Sequence, residues 1–196
     1  MDLNNKRIGI GITGSHTTFH LILPEIERLI KAGADVYVFV SHTIATVDSP
    51  IETAKQRMEK LRRITNNDII TTIIEAEPFG PKHPLDAMVI APMTGTSLSK
   101  FANGVSDSPV LFAAKSTLRN DSPVVLGIST NDALGLNGYN LMKLMNTKSI
   151  YLIPLGQDDP YSKPRSMVSH MHLLQETIQE ALKNKQIQPV FIPYDK

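Results

Sequence analysis

Four short stretches concentrate the residues able to grip an anion: Thr13-Gly14-Ser15-His16, Ser41-His42-Thr43, Thr94-Gly95-Thr96-Ser97 and Ser129-Thr130-Asn131-Asp132. Hydroxyls donate hydrogen bonds to phosphoryl oxygens, and a glycine lets backbone N–H groups at a helix start approach closely enough to do the same. The first stretch lies in RIGIGITGSHTTFH, residues 7–20, where Gly9, Gly11 and Gly14 spell G-x-G-x-x-G. A dinucleotide site also needs an Asp or Glu about 20 residues on, at the end of the second strand, to hold the adenosine ribose. Val40, Ser41 and His42 stand there instead, and Asp35 lies at the wrong end of that strand. Gly9, moreover, falls inside the first predicted strand. The adenosine half of a dinucleotide site is missing, and a single phosphoryl group, as in a mononucleotide, fits better. Gly14 and Ser15 would meet it, with Ser41 and Thr43 reaching in from the neighbouring strand end. The hydroxyls of Thr94, Thr96 and Ser97 should lie over the sheet beside them. From these residues alone, tight turns capped by Ser and Thr explain the same stretches equally well.

His16 and His42 fall at the same rim and would be charge partners of an anion, although a surface or capping role is the commoner one and is expected here. His20, His170 and His172 have no partner at metal-binding spacing, so no metal is expected. Lys163 and Arg165 in GQDDPYSKPR, residues 156–165, are candidates for meeting a carboxylate, with Lys100, Lys115 and Arg119 as rivals. Asp158 and Asp159 there would bind a cation or cap a helix.

Positioning these groups takes a sheet. Continuous apolar runs at RIGIGI, ADVYVFV, DAMVIAP, PVVLGIST and SIYLIPLG lack polar alternation, which means strands buried on both faces. Amphipathic stripes separate them. Phe19, Ile22, Ile26, Leu29 and Ile30 form one, closed by Gly33, with Pro24 expected to kink the helix or delay its start. Ile51, Ala54, Met58, Leu61 and Ile64 form a second, and shorter helices follow at VLFAAKSTL and YNLMKLM. Met167, Met171, Leu174, Ile178 and Leu182 predict a last helix over about 164–185, with a tail over 186–196. The region NDIITTIIEAEPFGPKHP is ambiguous between strand and short helix. Strands alternating with helices predict one α/β domain over residues 1–196, three-layered with a mainly parallel sheet, its ligands at the carboxyl ends of the strands.

The totals narrow the function classes. The 196 residues carry a formal net charge of +1, which offers no field to draw a nucleic acid or an anionic membrane. There is no cysteine, hence no thiolate nucleophile or thiolate metal site. A polar start and the absence of a long apolar run lead to the expectation of a cytoplasmic protein.

The stretch VIAPMTGTSLSKFANGVSDSPV, residues 89–110, resembles from Pro92 through Asp107 the PATANT segment of the homo-oligomeric flavin-containing Cys decarboxylases, a flavoprotein family. GITGS resembles that family's first phosphate turn, SHTIATV its second-strand segment, and PVVLGISTNDALGLNGYNLMKLM its segment around Pro-Ala-Met-Asn. MVIAPMTG, RNDSPVVLGISTNDALGLNG and IPLGQDDP are closer still to one branch, from spore-forming bacteria, which works with a separate Rossmann-bearing partner.

The resemblance implies a Rossmann-like or flavodoxin-like flavoprotein fold, FMN at the strand ends and a homo-oligomer. It further implies a partner chain carrying NAD(P), the pair oxidising a small cyclic dicarboxylate in the mother-cell cytoplasm of a sporulating bacterium. By the same likeness Gly14, Ser15 and Ser41 hold the FMN phosphate, while Thr94, Thr96 and Ser97 line its ribityl or phosphate side. Ala91 and Pro92 form the wall, and Asn131 faces the substrate, with Asn131 and Asp132 the nearest polar groups for catalysis. Three departures argue against decarboxylation of cysteinyl substrates: Thr96 replaces the family's Asn, Ile128-Ser129-Thr130-Asn131 replaces Pro-Ala-Met-Asn, and His83 lies three residues closer to the third strand than the family's His. A non-catalytic chain that stabilises or regulates its partner, keeping a relic phosphate site, is the alternative to an oxidoreductase, and an FMN-dependent decarboxylase is the weaker one.

Overall fold

The structure, a computed structural model, describes residues 2–193. Arg7–Ile12 forms β1, Asp35–Val40 β2, Ala87–Met93 β3 and Val124–Thr130 β4. These run parallel in the order β2-β1-β3-β4, and β5, Ile150–Leu152, adds a further parallel pairing to β4. Helices cover both faces, which is why the strands are apolar throughout. On one side lie α1 (Phe19–Lys31), α3 (Ala54–Thr65) and α8 (Leu174–Ala181); on the other lie α4 (Ile73–Ala76), α5 (Gly95–Ala102), α6 (Pro109–Arg119) and α7 (Gly138–Met145). The short α2, His42–Thr46, follows β2 directly. The fold is a mainly parallel α/β sandwich of three layers, as the alternation of runs and stripes predicts.

The strand β1 shows how sequence sets the layers. Ile8, Ile10 and Ile12 pack with Phe19, Ile22, Ile26 and Leu29 of α1. Its opposite face is Gly9 and Gly11. A Cβ at Gly11 would lie 2.5 Å from Val110 Cγ1 and 2.8 Å from Met88 Cε; one at Gly9 would lie 2.6 Å from Leu85 Cδ1. Two of the three glycines in the G-x-G-x-x-G pattern therefore make room for α6 and Met88 and touch no ligand site. α1 begins at Phe19 and runs through Pro24, which forgoes one bond to the carbonyl of exposed His20. It ends as predicted at Gly33, whose φ of +83° suits glycine.

The C-terminal side departs from the expected pattern. Met167–Ser169 is not the start of a helix but strand β7, antiparallel to the end of β4 through Ser129↔Val168 and Thr130↔Met167. The helix α8 covers only Leu174–Ala181, after a 3-10 turn at Met171–Leu173. SIYLIPLG is two strands: β5 ends before Ile153-Pro154, and β6, Leu155–Gly156, pairs with β7. The predicted tail lies along β6, with Leu155 N donating to Val190 O at 3.0 Å and Ile192 N to Leu155 O at 3.0 Å; residues 194–196 lie outside the described residues. In the ambiguous region Ile70 bridges to Phe39 beside β2, and α4 follows. Among the described residues no helix is long and apolar enough to cross a membrane.

Candidate functional site

At the carboxyl ends of β1, β3 and β4 lies a cleft of about 930 Å³, inside the range of roughly 300–1,000 Å³ usual for small-molecule sites. Its floor is stapled by Thr13. The Thr13 hydroxyl donates to Pro92 O at 2.8 Å and accepts from Thr94 N at 2.9 Å, which fixes the end of β1 against the end of β3. Pro92 interrupts the ladder, and the β3–β4 register shifts between Ile90 and Met93.

Above that staple three hydroxyls form a triangle: Ser15 Oγ to Thr18 Oγ1 at 2.7 Å, Ser15 Oγ to Ser129 Oγ at 3.1 Å and Thr18 Oγ1 to Ser129 Oγ at 3.0 Å. Each hydroxyl carries one proton and rotates freely about its C–O bond, so all three can turn toward a common acceptor. Beside them His16 borders the cleft, and its Nδ1 is closed off from solvent with no hydrogen-bond partner. Gly14 backs onto Thr43, whose Cγ2 would lie 3.0 Å from a Cβ placed there.

The β4 end is organised around Asp132. Its two oxygens accept from Thr130 Oγ1 and, at 2.8 Å, from Asn137 Nδ2. Asn140 Nδ2 donates to Asn137 Oδ1 at 2.9 Å and extends this network along α7. Gly95 sits against it, for a Cβ there would lie 2.6 Å from Thr130 Oγ1 and 2.7 Å from Asp132 Oδ1. The loop of residues 157–166 closes the far side. In it Asp158 accepts from Ser166 Oγ at 2.7 Å and stands 3.9 Å from Lys163 Nζ. Lys100, also at the cleft, is paired with Asp107 at 2.6 Å.

Of the sequence-derived candidates, Gly14, Ser15, Thr94, Thr96, Asn131 and Asp132 line this one cleft. Ser41, Thr43, Pro92 and Ser97 stand behind it. Ser41 caps α2 by accepting from Ile44 N, Thr43 supports Gly14, Pro92 holds Thr13, and the Ser97 hydroxyl pairs with Thr94 Oγ1 at 3.1 Å. His42 is exposed, its ring bonded to Thr46 Oγ1 at 3.2 Å. Lys163 and Lys100 reach the cleft, whereas Lys115 borders a small apolar recess of about 260 Å³ and Arg119 lies by Gly80. Thr18, Asn137 and Asn140 also line the cleft, although their sequence context does not single them out, as does Ser129 from the fourth of the sequence-derived stretches. Ser129 stands in a hydroxyl-rich strand end, and the Asn137-Gly138 pair reads as an ordinary turn.

The chain resembles known proteins over nearly its whole length. The B subunit of dipicolinate synthase from Bacillus subtilis (strain 168) is 53% identical over 190 residues, covering 97% of this chain and 95% of that one. The crystal structure of the corresponding B subunit from Bacillus halodurans C matches with a TM-score of 0.91 and 56% identity over 98% of each chain. The FMN-dependent cysteine decarboxylase SpaF shares the fold alone, at 14% identity and a TM-score of 0.65 over 93% of this chain and 98% of that one. The sequence model described as Flavoprotein matches residues 1–154, and the chain belongs to that flavoprotein family.

Proposed function

We propose that the chain is the B subunit of a two-component dipicolinate synthase and binds FMN in the cleft. Together with a second component that carries a nicotinamide cofactor, it would oxidise dihydrodipicolinate, a cyclic dicarboxylate, to dipicolinate in the cytoplasm of a sporulating cell. The observation that carries this reading is the 53% identity, sustained over 97% of the chain, to a protein of that name.

The residues present fit a phosphorylated cofactor. The hydroxyl triangle has its donors committed only to one another, the His16 nitrogen lacks a partner, and the cleft has the volume for a mononucleotide. Gly14, Ser15 and Thr18 would hold the phosphoryl group, with Thr94, Thr96 and Thr130 along the chain behind it. Ser41, Thr43, Pro92 and Ser97 would support these residues from below. Flavin, when bound, supplies the capacity to accept a hydride. Lys100 and Lys163 offer cations to the two carboxylates of the substrate, each held in place by an Asp. Asn131, exposed at the rim, would orient the substrate. Asp132 is suited to positioning, since both its oxygens already accept hydrogen bonds.

That engagement of Asp132 favours a second reading. Asp132 and Asp158 are the carboxylates that line the cleft, and both are engaged. A chain that only stabilises or regulates its partner would need no free base. The absorption spectrum of the purified protein, followed by assays of dihydrodipicolinate oxidation with each component singly and with the two mixed, separates the readings. A yellow protein whose presence is required for turnover is expected. A colourless chain that resists loading with FMN removes the flavin assignment, and full activity of the nicotinamide-bearing component alone supports the second reading.

A further inference from the structure

Resting on the reading of Gly14 and Ser15 as phosphoryl ligands, we propose that Arg57 is a positioning residue of their turn, acting through α2 and Thr43. Arg57 lies in α3, does not line the cleft and is 0% exposed. A guanidinium does not give up its proton in a protein, so burying it is unfavourable unless its donors are met. Here they are met without a carboxylate. Nε donates to Ile44 O at 3.4 Å, Nη1 to Glu52 O at 3.0 Å and to Ser49 Oγ at 3.4 Å, and Nη2 to Val47 O. The two acids of the same stretch are engaged elsewhere, Glu52 with Lys60 and Asp48 with Ala54 N at 2.8 Å. The planar fork therefore gathers one stretch of chain, residues 44–52, around a single buried charge.

That stretch contains the C-terminal end of α2. With five residues, α2 is too short to persist by its own hydrogen bonds, and the last carbonyls of a helix have no partner within it. It depends on anchors outside itself. Ser41 caps its start, the Ile44 side chain is fully buried, and Arg57 holds the carbonyls of Ile44 and Val47. Thr43 stands between these anchors, next to Ile44. The three atoms nearest a Cβ placed on Gly14 all belong to Thr43: Cγ2 at 3.0 Å, Cβ at 3.2 Å and Oγ1 at 3.6 Å. Thr43 is thus the surface on which the phosphoryl turn rests, and Arg57 keeps that surface in place. Hydrogen bonds weaken steeply with misalignment, so a turn that sinks by about 1 Å loses its grip on a phosphoryl oxygen.

The test compares the full chain as wild type, R57M, T43A and R57M/T43A. Hydrogen exchange without ligand reads the turn directly, flavin fluorescence reads the affinities for FMN and riboflavin, and circular dichroism checks folding. Should R57M not fold, R57K, whose single amine cannot span the four oxygens, carries the same comparison. R57M is expected to speed exchange across residues 13–17 about tenfold while β3 and β4 stay protected. It is expected to weaken FMN about tenfold and to leave riboflavin, which has no phosphoryl group, unchanged. R57M/T43A is expected to bind FMN no more weakly than R57M, because both substitutions remove one support. Faster exchange confined to residues 44–52, equal losses for FMN and riboflavin, or additive losses in the double variant overturn the role of Arg57. If the wild type takes up no flavin but R57M still loosens residues 13–17, the positioning role stands and the flavin reading is rejected. If neither is seen, both are rejected.

Discussion

Three glycines near the cleft do different work, and alanine tells them apart. At Gly95 a methyl group would lie within 3 Å of Thr130 Oγ1, Asp132 Oδ1 and Asn137 Nδ2, so G95A should force the Asp132 network apart. The expected cost is about 1–3 kcal/mol in urea denaturation, typical of overpacking, together with weaker FMN uptake by the folded protein. At Gly11 the obstruction is Val110 Cγ1 and Met88 Cε, deep in the core. G11A should lose a comparable amount, about 1–3 kcal/mol, while the fraction that remains folded keeps its FMN affinity. Loss of FMN affinity in G11A equal to that in G95A would contradict this division. Gly14 alone of the G-x-G-x-x-G set lines the cleft. The missing acid after β2 is legible in the sequence because it is a local feature. The packing role of Gly9 and Gly11 is not, since the side chains that fill their place come from α6 and from Leu85 and Met88, far along the chain.

Several helices owe their ends to short polar devices, and one of these titrates. Thr72 caps α4 while the Glu75 carboxylate accepts from Thr71 N at 2.8 Å and Thr72 N at 2.9 Å. The backbone bond from Thr71, ahead of that from Thr72, holds the Glu75 carboxyl below its ordinary range. A carboxyl depressed in the folded state contributes stability in full above its unfolded value, and that contribution disappears as pH falls through the folded one. The urea midpoint of the wild type should therefore exceed that of E75Q at neutral pH, and the gap should close on acidification below the carboxylate range. A gap that persists in acid would show that Glu75 acts through its shape alone. Such caps are readable from a handful of adjacent residues. The β7 strand is not, because Met167, Met171, Leu174, Ile178 and Leu182 keep a helical spacing, and what decides the conformation of Met167–Ser169 is a pairing partner some forty residues earlier in β4. Local periodicity cannot register that pairing. For the same reason Thr18 does not stand out in the sequence: it matters because the first turn and the end of β4, where Ser129 stands, converge on one point.

At the scale of the whole molecule, β4 joins the parallel sheet to the small antiparallel one, taking β5 along its start and β7 along its end. Ser169 stands at that junction, 1% exposed. Its hydroxyl accepts from Ile128 N at 2.9 Å and donates to Ile153 O at 3.0 Å, linking β4, β7 and the turn between β5 and β6. S169A leaves a buried N–H and a buried carbonyl without this partner, at a cost of about 1–3 kcal/mol. For a chain of this length each kcal/mol lowers the melting temperature by roughly 2–4 °C. The consequence should extend beyond stability. Ser129, one corner of the hydroxyl triangle, pairs with Val168, the neighbour of Ser169. Loosening β7 therefore frees the strand end that holds Ser129 against Ser15 and Thr18. S169A is expected to weaken FMN binding at a temperature where the protein is still fully folded, whereas a variant of matched stability loss such as G11A is not. If both variants bind FMN as the wild type does once corrected for the folded fraction, the antiparallel extension serves only to close the sheet and does not hold the cleft in shape.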